Sequence, residues 1–501
     1  MRVLFDELKD LVNEIDALES IVGLLDWDQE VNMPVGGIEG RSRQLAIQAR
    51  LAHEKLIAPA IKHLLTALKP YQDTLPYDSH ESSLIRVTRY LYDKASHIPP
   101  DFQARLYEHL GKSQTVWLKA YAENDFASVR PFLEKTLDLS REYSSFFNGC
   151  EHIADPLIDL NDPGMTVSTI RHLFKEMRDQ LTPIIKDIAR VQIPPCSSLT
   201  KFSPELAQLS FGREVIEKIG FDFERGRQDK STHPFTVQIS PGDVRITTRV
   251  NEYDFWNAFS STVHEAGHAL YVQGIAPTWN GTFVAHVASE GINESQSRLW
   301  ENIIGRSKNF WHYFFPRLQL YFPETFANIS LDTFYRGINR VQPSSIRTEA
   351  DEVTYNLHVI MRFDLEIQLL EGSLSVGDLP EAWRQRFQED FGICLSSDRE
   401  GVLQDPHWYD GFIGGQFQCY ILGNILSAQF YESALSTYPE IEDEIRRGYF
   451  GTLRAWLKNN IHFHGRKYSP QELINRVTGK AMTIEPYMQY LKTKYYDLYN
   501  L

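Results

Sequence analysis

The residues whose types and spacing point most directly to chemistry are His264-Glu265-Ala266-Gly267-His268. They lie inside Asp254 to Gly274, where Phe255, Phe259, Val263, Ala266 and Leu270 recur every three or four positions, the period of a helix with one apolar face. On such a helix residues i and i+4 share a side. The imidazoles of His264 and His268 are therefore expected to point at one spot, with Glu265 flanking it. Two neutral nitrogen ligands and a carboxylate beside a metal-bound water are the parts of metal-assisted hydrolysis. The alternative is two surface histidines four apart by coincidence. Small residues at Ala266 and Gly267, between apolar flanks, favour a buried metal site.

A catalytic zinc takes three protein ligands and leaves a fourth position open. The best third candidate is Glu294, in Asn293 to Asn302, a segment that reads as a helix with Glu294 in its first turn. Without the histidine pair, Glu294 would read as an ordinary N-terminal glutamate. Glu290 and Glu301 are the next candidates.

The elements that must position these groups are mostly helical. Leu4, Leu8, Leu11, Ile15, Leu18, Val22 and Leu25 form the stripe of a long amphipathic helix, and a second is expected over Arg41–Leu56. Helical patterns continue through 107–118, 132–147 and 167–191, punctuated at Ile98-Pro99-Pro100, Asn161-Asp162-Pro163-Gly164 and Ile193-Pro194-Pro195. One region reads as strand: 233–240 and 243–250 alternate about Pro241-Gly242, a hairpin just before the metal helix. Its edge either pairs with an extended peptide or simply caps that helix. A further helix is expected to open at Ile346, with Arg347 at its start and Asp351 one turn on. The stretch 404–420 gathers His407, aromatics, glycines and Tyr420 in one loop, a composition that often carries function. His462 and His464, two apart, read as a structural turn in preference to a metal pair.

The chain has 501 residues, 51 basic and 66 acidic, for a net charge of −15 spread along its length. That excludes an electrostatic case for nucleic acid or an anionic membrane as partner. Cys150, Cys196, Cys394 and Cys419 are too scattered for a disulfide framework or thiolate cluster. The first residues lack the apolar core of a signal peptide, and no run is long enough to span a membrane. A cytoplasmic location is the expectation.

With these pieces in order, the chain resembles the thermostable carboxypeptidase Taq family of zinc metallocarboxypeptidases. The likeness runs nearly end to end, through Leu24 to Gln29 with Met33-Pro34, Asp162 to Thr166, His233-Pro234-Phe235, Asp243 to Thr247, and His264 to Tyr271. It continues through Glu294 to Arg298, Arg347 with Glu349 to Glu352, Gln404-Asp405 with His407-Trp408, and Leu422-Gly423-Asn424. The resemblance implies a mainly α fold: a large, helical, two-lobed peptidase with a deep cleft and a small hairpin or sheet beside the metal helix. All of 1–501 would be one catalytic domain, with an N-terminal helical lobe over about 1–195 and a catalytic lobe over 196–501. It also implies a homodimer, one Zn2+ per chain that Co2+ can replace, and release of single C-terminal residues from peptides with broad tolerance.

Carried over by residue, His264, His268 and Glu294 become metal ligands and Glu265 the general base, while His407 and Tyr420 bind the oxyanion or position substrate. Arg347, His233 and Arg245 become substrate-side positions, and Arg347 is the choice for the terminal carboxylate, because a planar guanidinium pairs bidentately with one. The sequence departs from the family pattern at Asn293, where a histidine is expected, and at Gly415-Gln416-Phe417-Gln418-Cys419. Two other functions fit the same residues: an oligopeptidase or dipeptide-releasing enzyme, and a catalytically dead peptide-binding scaffold. A scaffold has no need of Glu265.

Overall fold

The computed structural model describes residues 1–191 and 193–501. The chain is mainly α-helical, with one three-stranded sheet among the described residues. It forms two compact units, each assembled from separated segments. The first comprises Met1–His97, Pro194–Ile338 and Leu426–Met482, and the second Ile98–Ile193, Asn339–Ile425 and Thr483–Leu501. No described helix is long and apolar enough to cross a membrane.

In the first unit the N-terminal helix runs over Arg2–Val31. Its fully buried stripe is Phe5, Leu8, Val12 and Ile15, so the face is rotated slightly from the leucine stripe the sequence suggested. The helix packs on the sheet. There β1 (Gly226–Lys230) lies parallel to β3 (Asp243–Thr248), and β2 (Thr236–Ser240) lies antiparallel to β3 on its other side. The expected hairpin is β2–β3, shorter than its apolar–polar alternation suggested. β1 went unpredicted because Gly-Arg-Gln-Asp-Lys has almost no apolar content. Val244 and Ile246 of the central strand are fully buried. The N-terminal helix covers β2: the Ser20 hydroxyl donates to the Ile239 carbonyl at 2.8 Å.

The expected metal helix is present as Phe255–Gly274, and the Asp254 carboxylate caps it by accepting from Asn257 N at 3.1 Å. Its first turns sit in an aromatic core. Phe255 meets Phe322 and Phe326, and Phe259 meets Trp311, with centroids 5.0–5.4 Å apart. Burying several rings, each worth about 1.5–3 kcal/mol, anchors the helix from below.

In the second unit, the helix expected to open at Ile346 does not. Arg347–Glu349 is a single 3-10 turn, and the α-helix starts at Tyr355 and runs to Glu371. The reason is local. The Asp351 carboxylate accepts from the backbone N–H groups of Val353 (2.9 Å), Thr354 (2.9 Å) and Gln342 (3.1 Å), bonds that compete with a helix. Arg347 therefore sits on an ordered loop rather than at a helix start.

Candidate active site

His264 and His268 face the same way from the middle of their helix, where α-helical spacing alone stacks them. Glu294 arrives on Glu290–Arg298, a helix that begins earlier than the sequence suggested. Ser289 is its N-cap, Glu290 holds the first turn, and Glu294 stands in the second. The two helices touch at Gly267. A Cβ there would lie 2.6 Å from Ser297 Cα and 2.7 Å from the Gln296 carbonyl, so only glycine permits the approach. Behind them, His462 seals the contact: its Nε2–H donates to Gln296 Oε1 at 2.8 Å, and its ring covers Gly274. Burial pushes this imidazole down to about 3, so it is neutral. The His462–His464 turn is structural.

The result is a convergent donor set. His264 Nε2 lies 3.2 Å from His268 Nε2, and Glu294 Oε2 lies 3.6 and 3.3 Å from them. Four-coordinate zinc at about 2.0–2.1 Å from each ligand spaces its donors about 3.3 Å apart. The residues present thus fit a tetrahedral ion, and this is the one such group found among the described residues.

The outer nitrogens fix the tautomers. His264 Nδ1–H donates to Glu301 Oε2 at 2.8 Å, and His268 Nδ1–H to Asn293 Oδ1 at 2.9 Å. Each leaves Nε2 as the inward lone pair, as a metal ligand requires. Asn293, where the resemblance led to the expectation of a histidine, therefore supports His268, and its own NH2 donates to Glu290 at 3.1 Å. Glu301 stands in a π-helical segment, Leu299–Ile304, that continues the Glu294 helix. Glu290 and Glu301, the alternative third ligands, are thus supports, and Glu294 alone joins the histidines.

The cluster is built for positive charge. Burial by itself would push His268 down, but the hydrogen bond and charge of Glu294, with the charge of Glu265, outweigh it and raise the imidazole to about 9. Burial would raise Glu294, yet Arg298, His264 and His268 hold it well below the usual carboxylate range. Arg298 ties the two acids together, donating to Glu294 Oε1 at 2.7 Å and to Glu301 Oε2 at 3.2 Å. Glu265 is buried beside the histidines, and the Thr236 hydroxyl of β2 donates to its Oε2 at 2.6 Å. Thr236 carried no sequence signal, because its partner lies 29 residues away across the sheet–helix contact.

The remaining predicted positions fall in three places. Arg245 makes a two-pronged pair with its neighbour Asp243 (3.0 and 2.8 Å), and its guanidinium lies over the Trp27 ring. His233 is exposed in the loop between β1 and β2, where its carbonyl accepts from Ser231. In the second unit, His407 and Tyr420 come together, Nε2 to hydroxyl 2.9 Å, with the imidazole stacked on Phe417. The run 415–419 is held at its glycine: at Gly415, φ is +88° and a Cβ would strike the Leu157 carbonyl. Arg347 lies close by, its guanidinium 5.0 Å from the Tyr420 ring centroid. Its Nε donates to Asp405 Oδ1 at 2.8 Å and its Nη1 to Tyr355 at 3.0 Å. The i, i+4 pair with Asp351 that a helix would allow does not form.

A histidine pair and a glutamate meeting on helices, with a second glutamate alongside, is the donor set of a metallopeptidase. The comparisons are specific. The carboxypeptidase Taq (M32) metallopeptidase family matches residues 7–495. Carboxypeptidase 1 of Bacillus subtilis is 35% identical over 99% of this chain and 98% of its own. Thermostable carboxypeptidase 1 of Thermus thermophilus is 37% identical over 99% of both chains. The crystal structure of an M32 carboxypeptidase from Deinococcus radiodurans superimposes with a TM-score of 0.96 at 41% identity, covering 100% of both chains. The chain belongs to the carboxypeptidase Taq (M32) family and is a metallocarboxypeptidase.

Proposed function

We propose that this chain is a zinc carboxypeptidase that releases single residues from free peptide C-termini with broad side-chain tolerance. Residues 1–501 act as one catalytic domain, the protein works as a cytoplasmic homodimer, and Co2+ can replace Zn2+. The observation that carries the reading is the convergence of three donor atoms beside a buried, oriented carboxylate. His264, His268 and Glu294 would hold the ion, which would supply Lewis acidity and an acidified water when bound. Glu265 is the general base. With Oε2 held by Thr236, its other oxygen takes the water's proton during attack on the scissile carbonyl and then returns it to the leaving amine. The Tyr420 hydroxyl, paired with His407, donates to the oxyanion, a kind of contact worth about 3–4 kcal/mol. Arg347 binds the terminal carboxylate. Its Nε and Nη1 are held from behind, and no bond from a described residue reaches Nη2. Arg245, on β3, and His233, in the loop before β2, are the further substrate-binding positions.

The test combines products and metal. On an end-labelled peptide the enzyme should shorten the C-terminus one residue at a time, whereas dipeptide release or internal cuts would replace this reading with an oligopeptidase. The Glu294→Ala chain should lose both zinc and turnover, and full zinc retention would displace Glu294 from the ligand set.

A further inference from the structure

Arg362 is fully buried and touches no surface that a substrate can reach. Its Nε donates to Asp405 Oδ2 at 2.6 Å, and its Nη1 to the His358 carbonyl at 2.9 Å. The guanidinium also lies over the Trp383 ring, 4.7 Å from the centroid. The other oxygen of Asp405 is taken by Arg347. One carboxylate is thus shared between two buried guanidinium groups, and Arg362 Nη2 has no hydrogen-bond partner among the described residues.

Burying an arginine costs several kcal/mol, and a fold that does so ordinarily supplies a full counter-charge. Here the obvious candidate is withheld. Glu366, one helical turn on, spends Oε1 on the Trp408 indole (2.7 Å) and Gly414 N (3.1 Å). Its burial raises it to about 8, so it is mostly neutral at pH 7. Burial likewise pushes His358 well below its ordinary value, so it adds no charge. Asp405 is anionic: burial would raise it, but the two arginines hold it well below the usual carboxylate range. The cluster therefore keeps a surplus of one positive charge.

We propose that Arg362 is a positioning residue for carboxylate recognition: by occupying half of Asp405, it lets that acid hold Arg347 in place without neutralising it. This rests on the reading of Arg347 given under the proposed function. Without Arg362, Asp405 and Arg347 close into a neutral pair, and an incoming carboxylate meets a guanidinium already satisfied. Removing the Asp405 charge as well frees Arg347 again, less well oriented but no longer cancelled. The two substitutions are therefore expected to be strongly non-additive.

The experiment measures kcat and KM on a free-acid peptide and on its C-terminal amide. The full-length metal-loaded chains are the wild type, Arg347→Ala, Arg362→Gln, Arg362→Lys and the double variant Arg362→Gln/Asp405→Asn. Thermal melting and metal content verify each fold. Wild type should prefer the acid and Arg347→Ala should lose that preference; if the two behave alike, the reading of Arg347 fails and takes this inference with it. Given that preference, Arg362→Gln should raise KM for the acid by about tenfold or more with a smaller change in kcat. Arg362→Lys, which keeps the charge, should retain the preference, and the double variant should recover part of what Arg362→Gln loses. Three results would each overturn the proposal while leaving Arg347 intact: equal losses on acid and amide in Arg362→Gln, a double variant worse than the single, or a folded Arg362→Lys without preference. Should Arg362→Gln not fold, the lysine and double variants decide on the same criteria.

Discussion

Two buried polar clusters in this chain are built on opposite accounts of charge. Around His264 and His268, the carboxylates of Glu265, Glu294 and Glu301 outnumber the guanidinium of Arg298 that pairs with two of them, and the surplus negative charge is what raises the His268 imidazole. Around Arg347, two guanidinium groups face one ionised carboxylate, Asp405, which leaves one positive charge. Each imbalance would be a costly defect in a purely structural core. Each instead has the sign that attracts a ligand the proposed chemistry needs: a divalent cation in the first, a peptide's terminal carboxylate in the second. The surplus, more than any single contact, distinguishes a site from a scaffold. A buried acid outside these clusters can be paired in full. Glu352 shows this, accepting from Tyr490, Lys494 and Tyr495 at 2.6–2.8 Å.

The largest expected effect breaks the first cluster at the acid proposed as general base. Glu265→Gln should keep stoichiometric metal yet lose about 10⁴-fold in kcat, since proton removal and delivery both go. Metal analysis beside steady-state kinetics checks this, and substantial turnover in the metal-loaded variant would end the assignment. Next is the glycine that lets the donors meet. In Gly267→Ala the added Cβ must push the Glu294 helix away, and displacing a ligand on this scale should cost about 100-fold in rate, with weaker metal retention. The helical circular dichroism should persist, which separates a displaced ligand from an unfolded chain.

A smaller effect is expected outside the donor set. Glu301→Gln keeps an acceptor for His264 but removes its charge, which should weaken metal affinity about 10- to 100-fold in a competition titration against a chelator. An unchanged affinity would make Glu301 a packing residue. The smallest effect sharpens the second cluster. Glu366 is held up at about 8 in the fold against an ordinary value near 4.5. Between those values the folded chain binds more protons than the unfolded one, so this group lowers stability as pH rises, by up to about 1.4 kcal/mol per pH unit. Glu366→Gln cannot titrate. Its Tm should therefore fall less than that of the wild type between about pH 5 and pH 8, and parallel curves would show that Glu366 is already ionised at pH 5.

What the sequence alone determined is local and periodic. The i, i+4 histidines, the glutamate between them, the helix that carries them and the β2–β3 hairpin follow from spacings of a few residues, which backbone geometry converts directly into shared faces. Glu294 was legible as well, because a metal centre demands a third donor and the acids nearby were few. The tertiary structure decided what depends on contacts across the fold. Thr236 at Glu265 and Glu301 at His264 are meetings of side chains that no periodicity encodes. The same holds for Arg347. Apolar spacing suggested a helix and a partner one turn away, but Asp351 spends its oxygens on nearby backbone N–H groups, the helix starts late, and the arginine finds Asp405, 58 residues on. Local hydrogen bonding overrode propensity there, and long-range electrostatics chose the partner.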